Sequence, residues 1–190
     1  MTLWCVGRNY REHALELNNP LPEKPLIFIK AGACLHEVKT FALPAWAGEI
    51  HHECELALQL NKDLQPEKLA LALDLTARTL QTQLKNKGEP WTLAKSFPQS
   101  CPISPAIPYP QDFTSLHFEF YKNSQLVQQG QVQDMIFSVP VLLDYLRVHF
   151  PLQPGDWILT GTPAGVGPLK SGDKLHAQIQ GKLSTEWTVL

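Results

Sequence analysis

The apolar residues of this chain occur mostly in short runs that are bounded by polar or Pro- and Gly-containing turns. Runs of this length are typical of β-strands. The predicted strands are residues 25–30, 51–60, 116–121, 125–129, 157–160 and 174–180. Alternation is clearest in residues 51–60, which predicts a strand with two unlike faces. Residues 116–121 and 125–129 flank Asn123-Ser124 and are expected to pair as a hairpin.

Helical spacing is confined to a few segments. Residues 9–17 carry Tyr10, Ala14 and Leu17 at helical spacing, and Asn18-Asn19-Pro20 is expected to end that helix. These features predict one short helix near the start of the chain.

Two further helices are predicted from their caps. Thr76 is expected to cap a helix that Gly88 ends, because Thr is a good N-cap residue and Gly a good C-terminal stop. Ser138 and Pro140 are expected to open the other helix. Residues 69–75 are apolar, and their pattern fits either a strand or a helix.

Predicted strands outnumber the few separated helices, which predicts an α+β fold. No internal repeat or low-complexity linker divides the chain, so residues 1–190 are expected to form a single domain. The chain has 16 Lys+Arg and 18 Asp+Glu, a formal net charge of -2. This balance argues against a nucleic-acid partner, since phosphate neutralisation needs a basic excess. Lys85 and Lys87 are interpreted as part of a solvated helix face.

The composition and the N-terminal sequence favour a cytoplasmic protein. With 44% hydrophobic and 18% charged residues, the chain is typical of neither disordered nor membrane-spanning proteins. We find no signal-peptide pattern and no apolar stretch near the ~18–20 residues that a bilayer crossing needs. The four scattered cysteines lack metal-ligand spacing and are expected to be buried, reduced thiols.

Three acidic residues in apolar surroundings are candidate metal ligands. Glu53 and Glu55 are two apart on a predicted strand, so they share one face, while Cys54 and Leu56 face the core. Two close carboxylates need a cation or a shared proton, although an edge strand exposing both to water is an alternative. Asp74 lies in an apolar segment and needs a cap role, a basic partner or a metal. Together they would suit a hard divalent ion.

A histidine–glutamate pair and a lysine are candidates for proton transfer and charge stabilisation. His13 and Glu16 are three apart on the first predicted helix, where they could form a general base or an ordinary surface pair. Lys95 lies among apolar neighbours and could pair with an acid or hold an anionic substrate. The glycine-rich residues 161–167 lack a nucleotide-binding pattern, but could present Thr162 and backbone N–H groups to a small carboxylate.

Six motifs, in order along nearly the whole chain, make the sequence resemble the fumarylacetoacetate hydrolase family, closest to its small acylpyruvase-type branch. They lie in residues 5–13, 52–57, 73–78, 90–97, 135–138 and 155–167. The resemblance implies a mixed β-sandwich roll with a few short helices, usually assembled as a homodimer. It also implies that Mg²⁺, or Mn²⁺ or Ca²⁺, is held by Glu53, Glu55 and Asp74.

The resemblance also assigns roles to other residues. By this resemblance, His13 and Glu16 match a water-activating dyad and Lys95 supports the metal-bound substrate. Arg8, Gln81 and Thr162 match positions that line the pocket for a pyruvate-like head group.

The activity that the resemblance implies is hydrolysis of a C–C bond in acylpyruvates (2,4-diketo acids), releasing a pyruvate enolate that the metal and Lys95 stabilise. Oxaloacetate decarboxylation and isomerisation or tautomerisation of 2-keto diacids remain alternatives on the same site. A non-catalytic protein that binds a divalent metal or keto acid is an alternative of another class. The short connection between Glu55 and Asp74 departs from the family pattern and could loosen the site.

Overall fold

Two large β-sheets contribute side chains to one hydrophobic core in the computed structural model, which describes residues 1–16 and 20–190. In these residues the strands are β1 Thr2–Gly7, β2 Leu26–Ala31, β3 Leu35–His36, β4 Thr40–Phe41, β5 Ile50–His52, β6 Cys54–Leu60, β7 Pro66–Leu73, β8 Thr76–Ala77, β9 Cys101–Pro102, β10 Ile107–Pro108, β11 His117–Lys122, β12 Gln125–Gln131, β13 Trp157–Leu159, β14 Gly167–Pro168, β15 Lys174–Ile179 and β16 Leu183–Val189. The α-helices are α1 Arg11–Glu16, α2 Arg78–Lys87, α3 Thr92–Lys95 and α4 Val139–His149.

The sheets are mixed, and their strand order places the site-bearing strands centrally. The larger sheet has the order β10-β7-β6-β13-β1-β2, in which β1 and β13 are parallel. The second has the order β12-β11-β15-β16-β4, and two small sheets have the orders β14-β5-β8 and β3-β9. Many strands with few, separated helices confirm the predicted α+β class.

The central strands of the larger sheet are buried on both faces, and β6 has the two unlike faces that the alternation in residues 51–60 predicted. Leu56 and Leu58 of β6 pack in the main core, as predicted for that face. Ala57 on the opposite face packs in a second cluster with Ala70 and Ala72 of β7. The alternation therefore reflects large apolar residues on one face and small or acidic residues on the other, not solvent exposure.

Most predicted elements are confirmed, with changed limits. Residues 51–60 form two strands, β5 and β6, which pair with different partner strands and are separated by Glu53. The hairpin of β11 and β12 turns at Asn123 and Ser124, whose φ angles of 51° and 65° suit its tight turn. Residues 69–75 belong mainly to β7, which resolves their ambiguity. The last strand, β16, was not predicted.

The helix caps are only partly as predicted. Gly88 ends α2 in the left-handed conformation, and Ser138 stands at the N-cap position of α4 with Pro140 in its first turn. The expectation for Thr76 was wrong, since Ala77 is the N-cap residue of α2. The first helix is confirmed from Arg11 to Glu16. Its predicted end at Leu17, Asn18 and Asn19 lies outside the described residues.

Cysteine burial and helix length agree with the sequence. Cys5, Cys34, Cys54 and Cys101 are buried and free, as predicted. In the part of the chain that the structure describes, no helix has both the length and the apolar character needed to cross a membrane.

Candidate metal centre and active site

The pairing register of two central strands brings three carboxylates together. Cys54 of β6 pairs with Leu73 of β7, and the Asp74 N–H donates to the Glu53 carbonyl at 2.8 Å. Glu53 therefore lies opposite Asp74, and Glu55 lies two residues along on the same face. One oxygen from each of the three carboxylates lies within 4.8 Å of the others. The structure thus brings together all three residues that the sequence singled out as candidate metal ligands.

The short connection between Glu55 and Asp74 is a closed hairpin turn. The Asn61 N–H donates to the Gln65 carbonyl at 2.8 Å, and Asn61 Oδ1 accepts from the Asp63 N–H at 2.9 Å. These bonds join β6 directly to β7. The shortening therefore leaves Asp74 in place beside the other two carboxylates.

Lys95, at the end of α3, neutralises part of this charge. Its Nζ donates to Glu53 Oε2 at 2.8 Å, Asp74 Oδ2 at 2.6 Å and Thr76 Oγ1 at 2.6 Å. Burial alone would lower the pKa of Lys95, but the carboxylates of Asp74 and Glu53 outweigh it and raise that pKa. Lys95 therefore stays charged and fixed. Thr76, which also donates to the Asp74 carbonyl, helps to position it instead of capping α2.

Lys30 is a second buried cation at the site, and sequence reasoning missed it. Its side chain is fully buried, with Nζ 2.8 Å from Asp74 Oδ1. Nζ also donates to the carbonyls of Leu75 and Ser100 at 3.1 Å, and to that of Lys95. In the apolar run of β2, the usual expectation is that the lysine points to solvent. The pairing of β2 with β1 puts Lys30 opposite Leu3, and this register places its side chain on the face of the sheet that carries the carboxylates.

Arg78, the first residue of α2, lies within the 73–78 motif but was not predicted as a site residue. Its Nη2 forms an ion pair with Glu53 Oε1, and its Nη1 donates to Gln81 Oε1 at 2.9 Å. Burial raises the pKa of Glu53, but Lys95 and Arg78, followed by His13, hold that pKa well below its usual range. Glu53 is therefore ionised.

Glu55 has a different environment. Its Oε2 accepts from the Gly161 N–H at 2.6 Å, but within the described residues no lysine, arginine or histidine forms an ion pair with it. Burial, then the charges of Asp74 and Glu53, raise the pKa of Glu55 well above its usual range. This carboxylate therefore lacks a cation, which a divalent ion beside it would supply.

The predicted pair of His13 and Glu16 is in contact and lies close to the carboxylate cluster. His13 is buried in α1, and its Nδ1 lies 3.3 Å from Glu16 Oε2. The other oxygen of Glu16 accepts from the Gly165 N–H at 3.0 Å. Glu16 thus links the imidazole to the glycine-rich loop, and the Nδ1 contact leaves His13 Nε2 as the nitrogen that is available for chemistry.

The glycine-rich loop serves the protein's own carboxylates. The N–H groups of Gly161 and Gly165, which the sequence suggested for a small carboxylate, donate to Glu55 and Glu16. Thr162 faces the pocket, and its Oγ1 donates to the Cys54 carbonyl at 2.9 Å. The loop therefore braces both the carboxylate cluster and the dyad.

Gln128 on β12 ties this loop to β6, and no sequence signal pointed to it. Its Nε2 donates to Thr162 Oγ1 at 2.7 Å, while its Oε1 accepts from the Cys54 N–H at 3.0 Å. The same oxygen lies 3.0 Å from His52 Nδ1. Burial lowers the pKa of His52 to about 4, so this imidazole is neutral near pH 7 and its Nδ1 donates.

The three carboxylates face one narrow pocket with a cavity volume of about 40 Å³. Eight of the nine predicted site residues line it, namely Arg8, His13, Glu53, Glu55, Asp74, Gln81, Lys95 and Thr162. Glu16 is not in its lining and contacts His13 instead. Leu26, Phe28 and Trp91 form an apolar wall. Lys85 also lines the pocket, so its interpretation as a solvated residue was wrong, whereas Lys87 is exposed.

Comparison with known proteins gives consistent matches over nearly the whole chain. The family model described as fumarylacetoacetate (FAA) hydrolase C-terminal matches residues 2–189. The mitochondrial oxaloacetate tautomerase FAHD1 of Bos taurus is 40% identical over 97% of this chain and 90% of that protein. The oxaloacetate tautomerase YcgM of Escherichia coli (strain K12) is 38% identical over 93% of this chain and 87% of that protein.

A solved structure gives the same fold. The crystal structure of fumarylpyruvate hydrolase from Pseudomonas aeruginosa, in complex with Mn²⁺ and pyruvate, superposes with a TM-score of 0.93. It is 30% identical, and the match covers 100% of this chain and 89% of that one. The predicted fold type is confirmed.

Proposed function

The chain belongs to the fumarylacetoacetate hydrolase family of enzymes, and on that premise we propose that it is a metal-dependent tautomerase that interconverts the keto and enol forms of oxaloacetate. The observation that carries the proposal is that His13, which Glu16 contacts, lines the same pocket as the Glu53, Glu55 and Asp74 carboxylates. Relatives of 38% and 40% identity are named oxaloacetate tautomerases, which favours this activity over the acylpyruvate hydrolysis expected from the sequence.

The donor set fits a hard divalent cation. Glu53, Glu55 and Asp74 supply oxygen ligands only, as Mg²⁺ and Mn²⁺ prefer, and Glu55 has no cationic partner of its own among the described residues. When bound, such an ion supplies Lewis-acid polarisation of the 2-keto acid. Mg²⁺ is the ion we propose, with Mn²⁺ as the ion named for the fumarylpyruvate hydrolase structure.

The proton transfer is assigned to residues of the chain. The C3–H bond of oxaloacetate breaks and its proton passes to His13 Nε2, while the C2 carbonyl becomes an enolate. Glu16 holds Nδ1 and stabilises the imidazolium that forms. The fixed charge of Lys95 stabilises the enolate oxygen. This oxygen takes up a proton from solvent water, and His13 releases the C3 proton to solvent, which completes the enol. Gln81, whose carbonyl is held by Arg78, has amide N–H groups to offer a substrate oxygen.

Acylpyruvate hydrolysis is the second candidate, and one observation favours it. The apolar wall of Leu26, Phe28 and Trp91 continues into a neighbouring apolar groove, which would suit a neutral acyl tail. Oxaloacetate decarboxylation would also pass through an enolate of the 2-keto acid. Membership of an enzyme family makes a purely non-catalytic binding protein the weaker alternative. The homodimer and the cytoplasmic location stay predictions.

The test follows ketonisation of enol-oxaloacetate by its ultraviolet absorbance, with Mg²⁺ and with EDTA. Acetylpyruvate cleavage and CO₂ release are measured in parallel. We expect Mg²⁺-dependent ketonisation that His13→Ala reduces at least a hundredfold, since general-base catalysis contributes roughly 10²–10⁴-fold. His149→Ala, which changes an exposed histidine on α4, should leave the rate unchanged. Pyruvate release from acetylpyruvate without ketonisation would instead select the hydrolase.

A further inference from the structure

Lys85 shares one face of α2 with two other pocket residues. Arg78, Gln81 and Lys85 follow one another at spacings of three and four residues, which places them on one side of the helix. All three line the pocket. The Lys85 side chain is half-buried, and its Nζ lies 4.6 Å from the centre of the Trp91 ring. The aromatic ring therefore holds the ammonium group at the pocket wall.

The positive charge of Lys85 has no carboxylate partner in residues 1–16 and 20–190, and neither has that of Arg8. Arg78 and Lys95, by contrast, are bound to Glu53. Burial, then the charges of Arg8, Arg78 and Lys95, lower the pKa of Lys85 to about 8. Two uncompensated cations beside a pocket favour an anionic ligand group.

Arg8 is held in a costly backbone conformation. Its φ angle of 60° lies in the left-handed region, which residues other than glycine rarely adopt. The adjacent Asn9 secures this turn, because its Nδ2 donates to the Thr160 carbonyl at 2.8 Å and its Oδ1 accepts from the Phe137 N–H at 2.8 Å. The strain is thus maintained at a residue that lines the pocket, as is common where a side chain must be aimed at a ligand.

We propose that Lys85, together with Arg8, binds the second carboxylate of a dicarboxylic 2-keto acid and so selects dicarboxylates over neutral-tailed 2-keto acids. The inference rests on the proposed function, since it concerns the part of the substrate that does not react. A neutral acyl tail can pack on Leu26 and Phe28, but it leaves both cations unpaired. A carboxylate tail pairs with them, and such charge-assisted bonds give selectivity for the dicarboxylate.

The experiment compares Lys85→Met, Lys85→Arg and Lys87→Met in the presence of Mg²⁺. Methionine keeps an unbranched side chain against Trp91 without the charge, and Lys87 is an exposed control on the same helix. The substrates are oxaloacetate and phenylpyruvate, which has an uncharged tail, and oxalate serves as a competitive probe of the head-group position. Steady-state rates give kcat and KM for each pair of variant and substrate.

We expect Lys85→Met to raise KM for oxaloacetate about tenfold or more, in line with the loss of a charge-assisted hydrogen bond. The phenylpyruvate KM and the oxalate inhibition constant should change less than twofold. Lys85→Arg should restore most of the oxaloacetate KM, and Lys87→Met should match the wild type. An unchanged oxaloacetate KM in Lys85→Met, or equal losses for both substrates, would overturn the proposal.

Failure of the proposed function would look different. If the wild type turns over neither substrate, binding of oxaloacetate and of oxalate to the Mg²⁺-loaded proteins is measured by calorimetry. Weaker oxaloacetate binding in Lys85→Met, with unchanged oxalate binding, would still support the dicarboxylate site. Equal oxaloacetate affinity in wild type and Lys85→Met would refute it, whatever the activity.

Discussion

The charge state of each ionisable side chain in this pocket depends on the charges packed around it. Three buried carboxylates face three cations, Lys30, Arg78 and Lys95, so the inner part of the site is close to neutral. The two cations farther from the carboxylates, Arg8 and Lys85, have no such compensation among the residues described. The part of the pocket beside Arg8 and Lys85 therefore carries a net positive charge, which favours a negatively charged ligand group.

This imbalance predicts a stability that depends on pH through Lys85. In the unfolded protein the pKa of Lys85 is close to its ordinary value of 10.5. In the folded protein it is lowered to about 8, because burial and the positive charges of Arg8, Arg78 and Lys95 outweigh the negative charge of Glu53. Between these values the unfolded state binds more protons, so stability rises with pH. Urea denaturation should show the free energy of unfolding of the wild type increasing, relative to Lys85→Met, from pH 8 to pH 10.

The control for this prediction is Lys87→Met, which removes an exposed lysine from the same helix. Its free energy of unfolding should keep a constant difference from the wild type over this range. A constant difference for Lys85→Met as well would show that the folded state does not disfavour the charge of Lys85.

The sequence could identify site residues whose chemistry conflicts with their local pattern. Asp74 stands out because an acidic residue interrupts an apolar segment, and Glu53 and Glu55 stand out as a pair on one strand face. Lys30 gave no such signal, since a lysine at the end of an apolar strand is normally exposed. Its burial depends on the pairing of β1 with β2, and a long-range pairing of this kind cannot be read from local spacing.

At the scale of elements, the loop between β13 and β14 is held by a glycine that has no room for a side chain. A Cβ on Gly165 would lie 1.8 Å from the Val127 carbonyl oxygen, and its φ angle is +96°. Gly165→Ala should therefore lower the free energy of unfolding by more than the ~1–2 kcal/mol cost of a left-handed residue alone. It should also lower kcat, because the Gly165 N–H holds Glu16.

Gly172→Ala, in the turn between β14 and β15, is the matched control for Gly165→Ala. Gly172 has a similar φ angle of +90°, but a Cβ there would meet nothing within 4 Å. Its free energy of unfolding should fall by only ~1–2 kcal/mol, with activity retained. Chemical denaturation of both variants measures the difference, and equal losses would show that the loop can move away from Val127.

The hairpin of β6 and β7 predicts tolerance to a longer turn. Seven paired positions from Cys54 to Leu60 fix the register, so the turn itself does not set the position of Asp74. Inserting Gly-Ser after the exposed Lys62 should cost about 1 kcal/mol or less. The affinity for Mg²⁺, measured by calorimetry, should change less than twofold. A large loss of affinity with the fold intact would show that the short turn positions Asp74.

Elements that depend on local pattern were predicted well, and those that depend on tertiary contacts were not. The β11–β12 hairpin was predicted from Asn123-Ser124 and the apolar runs on either side, and the structure confirms it. Thr76 has a side chain suited to capping a helix, but its hydroxyl accepts from Lys95 Nζ and donates to the Asp74 carbonyl. The predicted cap was therefore wrong. The buried second face of β6 was missed because its covering residues come from distant parts of the chain.

At the scale of the whole molecule, the candidate metal site joins segments that are far apart in sequence. The groups that meet there belong to different elements, namely Lys30, Glu55, Asp74, Lys95 and Gly161. Because the chain's own cations already compensate two of the carboxylates, folding does not require a metal to neutralise the site. A divalent ion should then stabilise the fold by binding to it, without being needed to form it.

The last prediction tests this relation between metal and fold. The protein should be folded in EDTA, and Mg²⁺ at a hundred times its Kd should raise the free energy of unfolding by about 2.7 kcal/mol. Glu55→Gln should lose most of this gain while remaining folded. Among the described residues no cation pairs with Glu55, so none would be left unpaired, and an amide oxygen can still accept from the Gly161 N–H. Asp74→Asn is the harsher comparison, since it weakens the pairing of the buried Lys30 and Lys95. Thermal melts with and without Mg²⁺ measure both effects, and unfolding in EDTA or an undiminished gain in Glu55→Gln would contradict the assignment.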